Sequence, residues 1–160
     1  MQLISFLASA AALVAPSLAA ALPVTFAAPS GLPDNYQWSV ENWYAGCARS
    51  GCSYNFNVTG ASSGLYPGFK AYCSGADTGY YDDCEILGVL SDSGTPFVAA
   101  SLRPNFQNGI ATMSVSLSFT DADSLIIYNI SGWHDATYNA FVVPLEQFNI
   151  TEPFEITQVL

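Results

Sequence analysis

The stretch ATMSVSLSF, residues 111–119, decides the fold class of this 160-residue chain. Apolar side chains alternate in it with the hydroxyl groups of Thr and Ser. In an extended strand, successive side chains point to opposite faces, so this pattern places all the apolar side chains on one face and the hydroxyl groups on the other. The stretch therefore predicts a strand with one buried and one solvated face.

Shorter segments with the same alternation lie on both sides of this stretch. They begin near residues 36, 52 and 69, and further strands are expected at 97–102, 125–131, 138–143 and 154–160. Turn signals such as Ser50-Gly51 and Asn108-Gly109 separate them, and no segment after the N-terminus has a sustained helical period with caps. We therefore predict an all-β fold, a single compact antiparallel β-barrel or sandwich over residues 22–160, stapled by disulfides.

The first 23 residues carry no charged side chain and have the pattern of a secretory signal peptide. An apolar run extends from Leu3 to Ala15, and small residues around Ala20 offer cleavage positions. Pro16 and Ser17 interrupt the run before it reaches transmembrane length. We predict a signal peptide over residues 1–21, a mature N-terminus between positions 20 and 23, and a secreted, extracellular protein.

The charge balance limits the classes of partner. Three Lys and Arg residues stand against 13 Asp and Glu residues, which gives a net charge of -10. Nucleic acids and anionic membranes attract basic surfaces, so neither is expected as a partner. Basic proteins and neutral ligands remain, and the charge also favours solubility.

The cysteines and the glycosylation sequons agree with secretion. The four cysteines all follow the predicted signal peptide, and His134 is the only histidine that could join them in a zinc site, so we predict disulfides. N-x-S/T sequons occur at Asn57, Asn129 and Asn149. Alternation with apolar neighbours predicts that Asn57 and Asn129 face solvent. We expect Asn57 and at least one other sequon to carry a glycan in a eukaryotic host.

The sequence motifs that could indicate catalysis do not fit a catalytic site. The residues 60–64, GASSG, match the G-x-S-x-G pattern, but the sequence LYPG that follows cannot open the helix that this motif requires. His134 is expected in a surface loop, and the acidic pairs Asp82/Asp83 and Asp121/Asp123 in solvated turns. We predict that the protein is not an enzyme and that it uses no metal and no cofactor.

Aromatic residues make up 14% of the chain. Trp38 alternates with Tyr36 and Val40 and is expected in the core. Others stand beside turn residues and are candidates for an exposed contact patch for sugar or phenolic rings. These are Trp43-Tyr44, Tyr66, Tyr80-Tyr81 and Trp133.

Several segments between residues 36 and 106 occur in a familiar order. They are Tyr36–Val40, Trp43-Tyr44, Phe56–Val58, Ala71–Ser74, Tyr80–Cys84 and Val98–Phe106. This order resembles the Alternaria major-allergen-like family of fungal secreted proteins, in which the segments like 71–74 and 80–84 are joined by a disulfide. The resemblance implies a compact β-barrel, an extracellular location, and a role as allergen, elicitor or virulence effector on plants, with links to plant defence proteins and to dimer formation.

The chain departs from this family in its cysteines. The family's second disulfide lies in the C-terminal half, where a Cys would replace Phe106, whereas this chain has Cys47 and Cys52 instead. It also lacks the extra N-terminal Cys that can join two chains. A monomer or a non-covalent dimer is therefore expected.

Four cysteines allow three pairings, and we predict the two local ones. Cys47–Cys52 would close a hairpin neck, and Cys73–Cys84 would pin the segment between residues 74 and 83. That segment is rich in acids and tyrosines. Because its ends are tied, it loses little entropy on binding, so it is the candidate binding site. The candidate binding residues are Tyr80, Tyr81, Asp82 and Asp83.

The sequence thus predicts a secreted effector-like or elicitor-like protein that acts by binding an extracellular plant protein. Two alternatives stay open. One is a carrier for a small phenolic or sugar ligand, and the other is a secreted hydrolase or an inhibitor of one.

Overall fold

The computed structural model describes residues 32–49, 51–90, 96–105, 109–138, 146–151 and 154–159. The expected signal peptide, its cleavage region and most of the strand expected at 138–143 lie outside these residues. The described residues from Leu32 onward belong to one unit of the chain.

The described residues form ten strands and contain no helix, which confirms the all-β prediction. The strands are β1 (Trp38–Ala48), β2 (Gly51–Gly60), β3 (Phe69–Ala76), β4 (Asp82–Asp83), β5 (Glu85–Val89), β6 (Phe97–Asn105), β7 (Ile110–Thr120), β8 (Ile127–Thr137), β9 (Glu146–Ile150) and β10 (Phe154–Val159). None of the described residues belongs to a helix long and apolar enough to cross a membrane.

The strands form two antiparallel five-stranded sheets. Sheet I has the order β5-β3-β2-β1-β9, and sheet II has the order β10-β8-β7-β6-β4. The inner faces of both sheets supply the core, with Trp38, Phe56 and Phe69 from sheet I and Leu102, Met113 and Leu117 from sheet II fully buried. No strand pair among the described residues joins the two sheets into a closed barrel.

The stretch 111–119 lies in β7, near the centre of sheet II. Its apolar residues are buried and its Thr and Ser residues are half-buried, as the alternation predicts. β7 pairs with β6 and with β8 along its length. The hydroxyl groups of β7 therefore lie on the outer face of sheet II.

A β-bulge in β1 corrects the expectation for Trp43. The register of β1 shifts between Glu41 and Tyr44, where Asn42 has a φ of 57°. The extra residue changes the phase of alternation, so Trp43 points inward like Trp38. Trp43 is only 1% exposed, and its Nε1 donates a hydrogen bond to the Thr137 carbonyl at 2.8 Å. Trp43 is therefore a core residue.

Both predicted disulfides are confirmed. Cys47–Cys52 joins two directly paired residues at the end of the β1–β2 hairpin. Cys73–Cys84 joins β3 to the residue between β4 and β5, where the chain passes from sheet II to sheet I. In the chain-entropy model, loops of these lengths contribute about 2 and 3 kcal/mol respectively. Two disulfides in a small β domain fit an oxidising, extracellular environment.

Candidate functional site

The segment Tyr80–Asp83 is fixed at its C-terminal side by both sheets. Asp82 and Asp83 form β4 and pair with Ala100 and Ala99 of β6, which corrects the expectation of a solvated turn. The next residue, Cys84, donates its backbone N–H to the Val98 carbonyl at 2.9 Å and is disulfide-bonded to β3. The segment is therefore held in place although its tyrosine rings reach far into solvent.

The four candidate binding residues do not share one surface. Tyr80 is 79% and Tyr81 48% exposed, and Asp83 is also exposed. Asp82 is half-buried, and its carboxylate lies against Gly75 of β3, where a Cβ atom would collide with it. The structure thus brings both tyrosines and Asp83 to the surface and turns Asp82 towards β3.

The Asp82 carboxylate also affects Tyr54. The Tyr54 hydroxyl donates to the Ala100 carbonyl at 2.8 Å, which ties sheet I to sheet II beside β4. Burial, with the Asp82 charge as a second cause, raises the pKa of Tyr54 above its usual value. The hydroxyl therefore stays protonated and acts as a donor.

A hydroxyl–carboxylate pair fixes the N-terminal side of the candidate segment. The Tyr138 hydroxyl donates to Asp77 Oδ2 at 2.8 Å and lies 2.9 Å from Cys47 Sγ. Burial first, and then Asp77, raise the pKa of Tyr138 to about 12. The contact joins the end of β3 to the end of β8 and to the β1–β2 hairpin. Sequence reasoning missed it because the partners lie 61 residues apart and share no motif.

The Asp77 carboxylate and the two hairpin cysteines lie close enough together to resemble a set of metal ligands. One ligand atom from each of Cys47, Cys52 and Asp77 lies within 4.8 Å of the others, and no other such group occurs in the described parts of the chain. Both cysteines are oxidised in a disulfide. Zinc binds thiolates, which a disulfide does not offer, so this group does not fit a zinc ion.

A shallow depression of about 380 Å³ lies beside Tyr80. Residues 77–80 line it together with Arg103 and Pro104. The Arg103 side chain lies along Gly79, with its Cγ 3.2 Å from the position that a Cβ atom would take there. One of the three basic residues thus lies next to the acidic segment.

His134 is not in a surface loop, as the sequence suggested, but in β8. It is half-buried, and its ring stacks on Phe148 of β9 with centroids 4.3 Å apart. Its neighbour Trp133 is 43% exposed and points outward from sheet II.

Other residues that the sequence singled out lie in two turns. Asp121 accepts hydrogen bonds from the Ser124 hydroxyl and from the backbone of Asp123 and Ser124, and the Ser124 hydroxyl is the main cause of its lowered pKa. This is the solvated turn that the sequence predicted. The GASSG stretch enters a turn closed by a Ser63–Tyr66 bridge. Tyr66 is buried, which corrects its place among the exposed candidates.

The sequon asparagines lie on the two outer faces. Asn57 in β2 is half-buried and Asn149 in β9 is exposed, and both are on the outer face of sheet I. Asn129 in β8 is half-buried on the outer face of sheet II, where its Oδ1 accepts a hydrogen bond from Ser116 at 2.7 Å.

No protein-family model matches the chain, and neither a curated protein nor a solved structure matches it significantly. The resemblance to the Alternaria major-allergen-like family therefore stays a prediction from the sequence.

Proposed function

We propose that this chain is a secreted, effector-like or elicitor-like protein that acts by binding a basic surface of an extracellular plant protein, and that it is not an enzyme. The observation that carries the proposal is the exposure of Tyr80, at 79%, on a segment whose backbone is held at Asp82–Cys84 and which the Asp77 side chain anchors on its other side. The Tyr80–Asp83 segment supplies the contact surface.

The fixed backbone favours binding because association costs less when little freedom remains to be lost. β4 pairing and the Cys73–Cys84 disulfide order one side of the segment, and the Asp77–Tyr138 hydrogen bond orders the other. A tyrosine ring adds contact area with few rotatable bonds. Tyr80 and Tyr81 are therefore suited to act as anchors at an interface.

Charge selects the partner. The chain has a net charge of -10, and Asp83 is exposed beside the two tyrosines. Such a surface attracts a basic protein over a distance and accelerates encounter. The other two acids of residues 77–83 are engaged within the protein, since Asp77 accepts a hydrogen bond from Tyr138 and Asp82 lies against Gly75. This favours a role in recognition over one in proton transfer.

The test is affinity capture from plant extracellular fluid with the full secreted protein, followed by surface plasmon resonance against the captured protein. Replacing Tyr80 and Tyr81 together by Ala should weaken binding by about 10-fold to 100-fold, mainly through faster dissociation. Asp83→Asn should slow association and reduce its dependence on salt.

Two matched variants serve as controls. Tyr72→Ala removes a tyrosine that is partly exposed on the outer face of sheet I, and Asp123→Asn makes the same charge change in the β7–β8 turn. Both should leave the rates close to those of the unmodified protein. If the Tyr80–Tyr81 and Asp83 variants fold and bind like these controls, the segment is not the interface.

A further inference from the structure

The two disulfides differ in how well solvent reaches them. Cys73 is fully buried, and its bond to Cys84 lies where the chain passes from sheet II to sheet I. Cys47 and Cys52 are both half-buried, at the end of the β1–β2 hairpin. A thiol or phosphine must reach a sulfur atom before it can open a disulfide, so access decides which bond is reduced first. We therefore expect the Cys47–Cys52 bond to open before the other.

The β1–β2 hairpin holds these two cysteines opposite each other through its own backbone pairing. Cys47 is paired directly with Cys52, and the pairing continues on both sides of them along the two strands. Directly paired residues of antiparallel strands have their side chains on the same face, with Cβ atoms about 4.5–5.5 Å apart. The register does not depend on the sulfur–sulfur bond alone. Reduction should therefore leave two neighbouring thiols on a folded hairpin.

A carboxylate is fixed beside the two sulfur atoms. One oxygen of Asp77 and the Sγ atoms of Cys47 and Cys52 all lie within 4.8 Å of one another. The Tyr138 hydroxyl donates to Asp77 Oδ2 at 2.8 Å and lies 2.9 Å from Cys47 Sγ. Hydrogen bonds of this kind orient the carboxylates that bind metal ions. The protein thus holds three ligand-type side chains together, and only the bond between the sulfur atoms keeps two of them from binding a metal.

We infer that reduction of the Cys47–Cys52 disulfide creates a zinc site formed by Cys47, Cys52 and Asp77. The disulfide takes two electrons and two protons from a dithiol, which itself becomes a disulfide, and Zn²⁺ then displaces one proton from each cysteine thiol. Tetrahedral zinc, with bonds of about 2.3 Å to sulfur and about 2.1 Å to oxygen, places its ligand atoms about 3.6–3.8 Å apart. Shifts of about 1 Å in the side chains reach these separations once the sulfur atoms part.

The ligand set favours zinc over calcium and magnesium. Two thiolates and one carboxylate are ligands that Zn²⁺ accepts, with water in the fourth position, whereas Ca²⁺ and Mg²⁺ require sets made of oxygen atoms. The net charge of -10 attracts cations to the molecule. Re-formation of the disulfide removes both thiolates and releases the ion. The site therefore takes up zinc under reducing conditions and gives it up under oxidising ones.

The first measurement shows which disulfide opens. The secreted protein is treated with a low concentration of a trialkylphosphine, the thiols that appear are alkylated, and peptide mass mapping locates the label. We expect label at positions 47 and 52 before positions 73 and 84. The circular-dichroism spectrum of the β fold should be retained.

The second measurement is an anaerobic titration of this reduced protein with Co²⁺, followed by displacement with Zn²⁺. Co²⁺ bound to thiolates shows a charge-transfer absorption that reports the sulfur ligands directly. We expect a single bound ion in the reduced protein. We expect none in the oxidised protein, and none in reduced protein whose Cys47 and Cys52 have been alkylated.

Substitutions then test the carboxylate. Asp77→Asn should weaken the affinity for Zn²⁺ at least tenfold, whereas Asp77→Glu keeps a carboxylate and should retain more of it. Tyr138→Phe should weaken the affinity about tenfold without removing the charge-transfer absorption, because it changes only the hydrogen bond to Asp77. Asp123→Asn, in the β7–β8 turn, makes the same charge change as Asp77→Asn and should have no effect.

The inference is overturned if reduction opens Cys73–Cys84 first or unfolds the protein, if the reduced protein binds neither ion, or if the oxidised protein binds them equally well. It is also overturned if folded Asp77→Asn binds Zn²⁺ as tightly as the unmodified protein. Should Asp77→Asn fail to fold, an unchanged affinity in folded Tyr138→Phe overturns it.

The zinc site is independent of the proposed protein contact. Replacing Tyr80 and Tyr81 together by Ala should weaken binding to the captured plant protein and leave the affinity for Zn²⁺ unchanged. Either proposal can therefore fail alone.

Discussion

At the scale of single residues, Tyr138 shows how one hydroxyl group stabilises several elements. It donates to Asp77 and contacts the sulfur of Cys47, so it connects the end of β8 with β3 and the β1–β2 hairpin. The folded protein binds its proton more tightly than the unfolded chain does, because the pKa is raised from 10.0 to about 12. This contribution to stability is complete below pH 10 and is lost as the pH rises towards 12.

Tyr138→Phe should therefore have two effects. It should lower the free energy of unfolding at neutral pH by about 1–3 kcal/mol, since Asp77 loses a hydrogen-bond donor. It should also reduce the fall in stability between pH 10 and 12, without abolishing it because Tyr54 and Tyr36 also have raised pKa values. Urea unfolding of both proteins across this pH range measures the difference. An equal fall in both proteins would show that Tyr138 does not titrate in this way.

Two single residues, Trp43 and His134, show where the sequence alone did not predict the position of a side chain. Alternation placed Trp38 and Val40 correctly in the core, but it failed at Trp43 because the bulge at Asn42 changes the phase of the strand. The one sequence feature that could have indicated the bulge is Asn42 itself, because Asn tolerates a positive φ better than most residues. His134 was misplaced because its partner Phe148 lies on the other sheet, where no local pattern reveals it.

At the scale of elements, the close approach of β3 to β4 depends on Gly75. A Cβ atom there would collide with the Asp82 carboxylate and lie 2.7 Å from the Tyr54 hydroxyl. Gly75→Ala should therefore displace β4 and lower the free energy of unfolding by about 1–3 kcal/mol. Thermal unfolding followed by circular dichroism measures the loss.

Gly88 in β5 provides the matched control for Gly75. No atom lies within 4 Å of the position that its Cβ would take, so Gly88→Ala should be neutral or slightly stabilising. Equal effects of the two substitutions would mean that the contact between β3 and β4 is not tight.

The elements differ in how well the sequence predicts them. β7 was predictable because its alternation runs through 111–119 and needs only one buried face. The two-residue strand β4 could not be predicted, since it depends on pairing with β6 and on the disulfide that joins Cys84 to β3. The candidate segment was found through its composition and the cysteine spacing. The inward turn of Asp82 could not be found, because it depends on the absence of a side chain at Gly75.

At the scale of the described unit, the two outer faces differ in chemistry. The outer face of sheet I carries two of the three sequons, whereas the outer face of sheet II carries a single sequon and rows of Thr and Ser side chains, with Asp83, Arg103 and Asp135 beside them. Alternation with apolar neighbours predicted that Asn57 and Asn129 face solvent, but it could not assign the sequons to one sheet or the other. That assignment requires the order of strands in the two sheets.

This division of faces leads to a prediction about glycosylation. We expect Asn57 and Asn149 to be glycosylated and Asn129 to be bare in protein secreted from a eukaryotic host. Asn149 is exposed on the edge strand β9, where an enzyme can approach. Asn57 and Asn129 are both half-buried in inner strands, and Asn129 differs in that its side chain accepts a hydrogen bond from Ser116. Deglycosylation in ¹⁸O-labelled water, followed by peptide mass mapping, converts each occupied Asn to labelled Asp. Label at position 129, or its absence at position 57 or position 149, would contradict the prediction.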